Sequence, residues 1–138
     1  MTGAGGWEGY EATPAWQTLG LRVIDAGGGT SRLRMATAPM MNKQGLVHGG
    51  AVAALADAAM GVAIRSAVEP GSITRTIEFK VNFLAPACGD QLVGVGRLVR
   101  LGKSTAVATA DIFEAEDAPA VAFAVGTFAV RPPRERGG

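Results

Sequence analysis

Residues 42–57 have the sequence NKQGLVHGGAVAALAD, in which a Gly-Gly pair precedes a run of small apolar residues interrupted by one acid. Apolar residues recur at spacings of three and four, which predicts a helix over residues 49–68. Because this helix would be apolar on nearly all sides, we expect it to be buried. Gly49 and Gly50 would offer backbone N–H groups at the positive end of the helix dipole. Asp57 places an ionisable group inside the same buried helix.

Strand patterns lie on both sides of this helix. Thr13 and Pro14 predict a short helix with Thr13 as its N-cap, and residues 21–37 predict a hairpin with a glycine turn. Four strand-like runs follow the long helix: residues 73–83, 91–101, 104–114 and 120–130. Because the connections are short, we expect a four-strand antiparallel meander. The sequence therefore predicts an α+β fold, a curved antiparallel sheet of five to six strands wrapped around one long helix.

The composition indicates one well-packed domain. The chain has 138 residues, of which 48% are hydrophobic, and its mean hydropathy is +0.22. These values exclude a disordered chain and provide enough residues for one core. Residues 13–130 are predicted to form the domain, residues 1–12 a flexible N-terminus and residues 131–138 a disordered tail. Since alanine, valine and glycine dominate, backbones are expected to pack closely.

Charge and cysteine content exclude several classes of function. Thirteen basic and twelve acidic residues give a net charge of +1, so we expect neither a nucleic-acid nor an anionic-membrane partner. Cys88 is the only cysteine, so no internal disulfide or cysteine metal cluster can form. No metal or cofactor is predicted. The longest apolar stretch, residues 49–64, contains an acid, and the N-terminus lacks signal-peptide features. We therefore expect a cytoplasmic protein.

An amide donor and an acid are the minimum equipment for hydrolysing an activated carbonyl. Gly49 and Asp57 are eight residues apart, which is about 12 Å along a helix axis. One carbonyl group cannot form hydrogen bonds with both. If both act on one substrate, they come from different chains, and the sequence then predicts a homodimer with two shared active sites.

The order of these segments resembles the hotdog-fold acyl-CoA thioesterases of the phenylacetate-degradation (PaaI-like) branch. The matching residues are Asn42, GLVHGG at 45–50, ALAD at 54–57, TIEF at 76–79, NFLAPA at 82–87 and VGTF at 125–128. The resemblance covers about residues 15–130. It implies the hotdog fold, a dimer joined edge to edge, usually a tetramer, and hydrolysis of an acyl-coenzyme A.

The resemblance also implies roles for single residues. Asn42 and the N–H of Gly49 would bind the thioester carbonyl. Asp57 would activate water as a general base or attack the carbonyl directly as a nucleophile. Thr76 would assist this acid or its water, and Thr74 is the alternative if the loop after the helix has a different length.

His48 and Gly50 admit two interpretations each. His48 is the only histidine of the chain and directly precedes the helix, which favours a capping or loop-fixing role over a catalytic one. Gly50 is a candidate for substrate binding, because its backbone is open to close approach. The Gly-Gly pair could equally serve only close packing.

Coenzyme A carries phosphates, which basic side chains would bind. The candidates are Arg97, Arg100, Lys103 and Ser104, with Arg75 and Lys80 on the preceding strand. The resemblance favours the turn at residues 102–104, whereas exposed charges of this kind are more commonly a solvated face.

The acyl group and the reaction class have alternatives. The branch implies aryl or arylacetyl thioesters, with medium-chain acyl groups as rivals. Four side chains could line an adaptable pocket or belong to the core: Met40, Met41, Met60 and Phe83. The rival functions are a hotdog acyl-thioester dehydratase or hydratase, which would use His48 with an acid, and a non-catalytic acyl-CoA-binding module.

Overall fold

The computed structural model describes residues 6–134, in which one face of a six-stranded sheet packs against a long helix. The helices are α1 (Glu8–Glu11), α2 (Pro14–Leu19) and α3 (Gly49–Arg65). The strands are β1 (Leu21–Gly27), β2 (Thr30–Ala36), β3 (Ile73–Phe83), β4 (Gln91–Leu101), β5 (Thr105–Phe113) and β6 (Ala122–Arg131). Helix α3 contacts all six strands, and eleven of its seventeen residues are buried.

The sheet is antiparallel throughout, and its strands lie in the order β1-β2-β4-β5-β6-β3. The predicted four-strand meander is therefore wrong at its first step. Strand β3 does not pair with β4 but crosses to the far edge and pairs with β6, and β4 pairs with β2 instead. The sequence pattern identified the strands but not their neighbours, since the loop between β3 and β4 is long enough for either arrangement. One consequence is that β3 is an edge strand.

Small residues let α3 lie very close to the sheet. A Cβ atom at Gly96 would stand 2.2 Å from the backbone oxygen of Ala59, so no larger residue fits at this position. The hydroxyl of Ser31 donates to the same helix carbonyl at 2.6 Å. Because buried hydroxyls need partners, this bond also fixes the helix against β2. The expected close packing of backbones is thus present at the centre of the fold.

The N-terminal segment is more structured than predicted. Thr13 caps α2 as expected, accepting a bond from the N–H of Trp16, with Pro14 at the first helical position. Ahead of it, however, the predicted flexible segment contains α1. The carboxylate of Glu11 accepts a hydrogen bond from the N–H of Val23 at 2.9 Å, which holds this segment against β1.

Two further predictions concern the ends of the chain. The tail was predicted from residue 131, but Arg131 is still the last residue of β6. Residues 1–5 and 135–138 lie outside the described part, and so do the predictions made for them. Among residues 6–134, no helix has the length and apolar character needed to cross a membrane.

Candidate active site

The N-terminus of α3 is capped by the only histidine. The Nδ1 atom of His48 accepts a hydrogen bond from the N–H of Gly50 at 3.0 Å, and its backbone oxygen accepts from Ala51 at 2.9 Å. The N–H of Gly49 has no acceptor within residues 6–134. The side chain of His48 thus acts as a helix cap, and the cap occupies the Gly50 amide while leaving the Gly49 amide free for a ligand.

Asn42 organises the loop that leads to this helix. Its Oδ1 atom accepts hydrogen bonds from the N–H groups of Gln44 at 2.9 Å and Leu46 at 3.1 Å. Two backbone donors at one oxygen determine which way the amide points. The Nδ2 group is therefore left as a donor, which is what binding a carbonyl oxygen requires.

A groove of ≈ 370 Å³ lies beside this loop. Its lining residues are Asn42, Leu46, Val47, Val52, Phe83, Leu84, Ala85, Pro86, Ala87 and Val121. The ring of Phe83 borders the start of α3, since a Cβ atom at Gly49 would lie 3.4 Å from its Cζ atom. The first half of the candidate site therefore combines a free helix amide, a side-chain amide and an apolar wall.

Of the four side chains expected at an adaptable pocket, only Phe83 lines this groove. Met60 is completely buried in the core, and Met40 packs against the core from its rim. Met41 is exposed. Met60 therefore belongs to the core, one of the two alternatives predicted for it, and does not line the groove.

Asp57 forms the second half of the site together with β3. The hydroxyl of Thr76 donates to Oδ1 of Asp57 at 2.6 Å, and the acid is half-buried. The β3–β6 register shifts between Thr76 and Glu78, which makes a β-bulge beside the acid. Bulges of this kind re-aim side chains next to active sites. Of the two threonines considered, the structure pairs Asp57 with Thr76 rather than with Thr74.

A second cavity, of ≈ 210 Å³, surrounds this acid. It is lined by Ala15, Trp16, Leu19, Leu21, Ala54, Asp57, Ala58, Gly61, Arg65, Thr74, Thr76 and Phe128. The sequence pattern did not predict a site role for Trp16, Leu19 or Arg65. Arg65 carried one available signal, because it is the first charge after Asp57 in an otherwise apolar helix.

The two halves lie far apart within one chain. Gly49 and Asp57 both belong to α3, eight residues or about 12 Å apart along the axis. Phe83 and Thr76, which contact them, are seven residues apart on β3, about 23 Å along a strand. No single thioester can reach from one half to the other.

The predicted phosphate-binding residues fall into two groups. The backbone oxygen of Ser104 accepts a bond from Val130, which pairs with Thr74, so Ser104 and its neighbour Lys103 lie at the Asp57 end of the sheet. Arg97 instead lines a cavity on the helix-free face, together with Arg32 and Asp111.

Arg100, Arg75 and Lys80 also point away from α3. They pair with Val107, Ala129 and Val125, which alternate with buried residues of their strands. The structure therefore keeps the turn at residues 102–104 near the site and does not bring Arg97 or Arg100 to the Asp57 cavity, because strand alternation turns them to the opposite face.

The sequence of the chain matches one known protein family. The family described as the thioesterase superfamily matches residues 44–121, which include Gly49, Asp57 and Thr76. The chain belongs to the thioesterase superfamily. A protein of Halobacterium salinarum that carries the provisional name of esterase is 37% identical over 123 residues, 81% of each chain.

Solved structures of thioesterases share the fold. A thioesterase family protein of Silicibacter pomeroyi superposes with a TM-score of 0.82 at 31% identity, over 89% of this chain and 93% of that one. The PaaI protein from the phenylacetic acid degradation operon of E. coli gives 0.80 at 27%, over 91% and 90%. These comparisons confirm the hotdog fold and the PaaI-like branch of thioesterases.

Proposed function

We propose that the protein is an acyl-CoA thioesterase whose active site combines Asp57 of one subunit with Gly49 and Asn42 of another. Membership of the thioesterase superfamily supports thioester hydrolysis in general. The observation that carries the specific proposal is the 2.6 Å bond between Asp57 and Thr76 inside a cavity. Asp57 belongs to the same helix as the Gly49 amide, which has no acceptor in the described part of the chain.

The chemistry follows from what each group can donate or accept. The N–H of Gly49 and Nδ2 of Asn42 donate to the carbonyl oxygen and stabilise the negative charge that develops on it. Each such donor is worth about a hundredfold to a thousandfold in kcat. Asp57 either removes a proton from the attacking water or attacks the carbonyl carbon itself. The carbon–sulfur bond then breaks, and the thiolate of coenzyme A leaves and is protonated. Attack by water gives the free acid directly, whereas attack by Asp57 gives a mixed anhydride, which water then hydrolyses to the free acid and the Asp57 carboxylate.

The two edges of the sheet support the shared site. At the β1 edge, the carboxylate of Glu11 accepts a hydrogen bond from the N–H of Val23, so this backbone donor is not free to pair with another strand. At the β3 edge, no strand of the described residues covers the outer side, and Ile77 and Phe83 are each 57% exposed. A bare, apolar edge invites pairing with another strand. A second copy of the chain is the partner that also supplies the missing half of the site.

Twofold symmetry gives this pairing a register. Antiparallel β3 strands related by an axis near Phe79 would place Thr76 of one subunit opposite Phe83 of the partner subunit. Because Thr76 contacts Asp57 and Phe83 borders Gly49, this register would bring the two halves together twice in each dimer. Assembly of two dimers into a tetramer stays a prediction.

The rival functions have less support. A dehydratase would need His48 as an acid or base, but its Nδ1 atom is engaged by the Gly50 amide and its ring caps the helix. A non-catalytic acyl-CoA-binding module would have the same pocket without turnover. Only an activity measurement separates it from an enzyme.

The first test is hydrolysis of a panel of phenylacetyl-, benzoyl-, hexanoyl- and palmitoyl-CoA, followed with a thiol-detecting dye. We expect turnover of at least one substrate and a loss of about a hundredfold or more in Asp57→Asn, as for removal of a general base. The substitution keeps the size of the side chain, and circular dichroism would check that the fold is intact. Equal turnover by both proteins would refute the role of Asp57, and no turnover by the wild type would favour the binding module or an acyl group outside the panel.

The second test mixes two inactive chains. Gly49→Val blocks the donor half because its side chain would collide with Phe83, and Asp57→Asn disables the acid half. After subunit exchange, half of the dimers are mixed and each has one intact site, so about a quarter of wild-type activity should return. Subunit exchange is verified with differently tagged chains. No recovery despite exchange would mean that each site is complete within one chain.

The role of Asp57 can be decided by a single turnover in heavy-oxygen water. Label in the Asp57 carboxylate would show nucleophilic attack through a mixed anhydride. Label only in the released acid would show that Asp57 acts as a general base on water.

A further inference from the structure

The inner end of the Asp57 cavity carries a hydroxyl and a cation that thioester hydrolysis does not use. The side-chain oxygen of Thr74 is buried and has no hydrogen-bond partner within residues 6–134. Arg65 lines the same cavity and is half-buried, yet the ion pairs of the described residues all belong to Arg32. Buried polar groups nearly always have partners, so this pair of side chains has the composition of a ligand-binding subsite.

Both groups lie beyond the Asp57–Thr76 pair, in the same direction. Helix α3 and strand β3 run in opposite directions, since Gly49 borders Phe83 while Asp57 contacts Thr76. Continuing along α3 past Asp57 therefore corresponds to continuing backward along β3. Thr74 lies two residues before Thr76 on β3, a distance of about 6.6 Å along a strand.

The guanidinium of Arg65 reaches back toward the acid. A Cβ atom at Gly61 would lie 3.2 Å from Nη1 of Arg65, so the side chain folds over the preceding helical turn. Gly61 is four residues from Asp57, about 6 Å along the axis. The charged group thus stands about one turn from the acid, at the depth where the far end of a short acyl group would lie.

Known structural roles explain only part of this arrangement. Arg65 lies in the last turn of α3, where a cation suits the helix dipole. Its guanidinium carbon stands 4.7 Å from the ring centroid of Tyr10, a cation–π contact. These interactions use the charge and one face of the group. They leave the N–H donors along its edge without an acceptor among residues 6–134, and they do not involve Thr74.

We infer that Arg65 and Thr74 bind a carboxylate at the far end of the acyl group. This inference rests on the proposed function and narrows its substrate class to CoA thioesters of dicarboxylic acids. A guanidinium presents N–H donors in the planar spacing that a carboxylate accepts, and it is always charged. The Thr74 hydroxyl supplies one further donor. Between this end and the thioester, the walls formed by Trp16, Leu19 and Phe128 suit a short methylene chain.

The test compares two ligands that differ only at the far end, adipyl-CoA and hexanoyl-CoA. Binding is measured by calorimetry with the full chain carrying Asp57→Asn, so that neither thioester is consumed. Adipyl-CoA should bind at least about tenfold more tightly, as expected for one charge-assisted hydrogen-bonded pair. Adding Arg65→Met should abolish this preference, and Arg65→Lys should keep part of it.

A second variant covers the case in which Arg65→Met does not fold. Gly61→Ala places a methyl group against Nη1 of Arg65, and alanine is a better helix former than glycine. The variant should fold and reduce the preference, because the methyl group shifts the guanidinium. Thr74→Val, which keeps the shape of the side chain, should reduce the preference by a smaller factor.

Equal binding of the two ligands, a preference that survives Arg65→Met, or binding of neither ligand would overturn the inference. Because the comparison needs no turnover, its result is separate from that of the hydrolysis assay. A wild type that binds adipyl-CoA preferentially but hydrolyses nothing would refute the thioesterase and leave the carboxylate subsite standing.

Discussion

The two halves of the proposed site differ in how the chain builds them. At the start of α3, the side-chain hydrogen bonds join residues two to four positions apart, Asn42 with Gln44 and Leu46, and His48 with Gly50. Around Asp57, the contact to Thr76 joins residues nineteen positions apart. The donors of the first half are ordered by a local motif, although its apolar wall comes from β3 and the loop after it. In the second half, the acid meets its hydroxyl only when β3 has packed beside α3.

The halves also differ in which atoms do the chemistry. In the first, a backbone amide is the reactive donor, and the side chains mainly hold the loop and the helix end in place. In the second, side chains act directly. A substitution in the first half should therefore be tolerated when it preserves a hydrogen bond, while one in the second half should lower kcat whether or not the fold is stable. Asn42 is the exception in the first half, and it provides the sharpest test.

The largest effect is expected at Asn42, whose side chain has both a loop-holding oxygen and a free donor. Asn42→Asp keeps an oxygen for the N–H groups of Gln44 and Leu46 but removes the donor. We expect kcat to fall by about a hundredfold to a thousandfold, the usual cost of losing one oxyanion donor, with unchanged unfolding by urea. Steady-state kinetics and denaturation on the same samples measure both quantities.

Asn42→Ala provides the matched comparison. It removes donor and acceptor together, so the same loss of kcat should be joined by a loss of stability of about 0.5–1.5 kcal/mol, because one freed amide is exposed and the other only half-buried. If Asn42→Asp kept wild-type kcat, Nδ2 would not contact the carbonyl, and the side chain would only hold the loop.

The next effect tests the second half through Thr76→Val. This change removes the 2.6 Å bond to Asp57 and keeps the shape of the side chain. A hydrogen bond to a charged group is worth about 1.5–3 kcal/mol, so kcat should fall by about tenfold to a hundredfold. Thr109→Val, on the helix-free face of β5, is the control for a threonine-to-valine change in a strand. A Thr76 variant as active as the Thr109 variant would show that the acid works without this bond.

The same local and long-range distinction explains what could be predicted from the sequence. The long helix, its cap and the glycine amide depend on neighbouring residues, so periodicity and composition were enough to find them. The choice between Thr74 and Thr76 depends on a bulge in β3, which re-aims side chains and leaves no signal in the alternation of the strand. The neighbours of β3 were mispredicted because strand pairing is a property of the whole sheet.

Site roles that depend on tertiary contacts could not be predicted from the sequence. Arg65 is a helix-end cation, but its contact with the Asp57 cavity depends on a side chain folded back over Gly61. Composition and spacing alone gave Arg97 and Lys103 the same standing as exposed charges, and only the family resemblance favoured the turn that contains Lys103. The structure separates them because strand alternation turns Arg97 to the opposite face of the sheet.

A smaller effect is expected at Lys103, which lies at the same end of the sheet as Asp57. An exposed cation contacting a phosphate contributes about 0.2–1 kcal/mol, so Lys103→Ala should raise KM by about twofold to fivefold with kcat nearly unchanged. The rise should shrink at high salt, which screens exposed charges. Arg22→Ala is the charge-matched control, because Arg22 lies on β1, at the edge of the sheet opposite β3. An unchanged KM would exclude a contact between Lys103 and the phosphates.

The smallest effect, at His48, tests whether the first half is held together by its cap. His48→Ala removes the acceptor of the Gly50 amide and should lower the free energy of unfolding by about 1 kcal/mol, as for other N-cap losses. His48→Asn offers an oxygen to the same amide and should recover most of that stability, because asparagine is a preferred N-cap residue. Urea denaturation gives the stability, and kcat is measured on the same preparations.

If His48→Asn were stable but had lost about a hundredfold in kcat, the imidazole itself would take part in the reaction. If stability alone responds, and asparagine restores it, the histidine contributes through the backbone that it orders. The two halves would then differ as their contacts indicate, one acting through an ordered amide and the other through an acid and its hydroxyl.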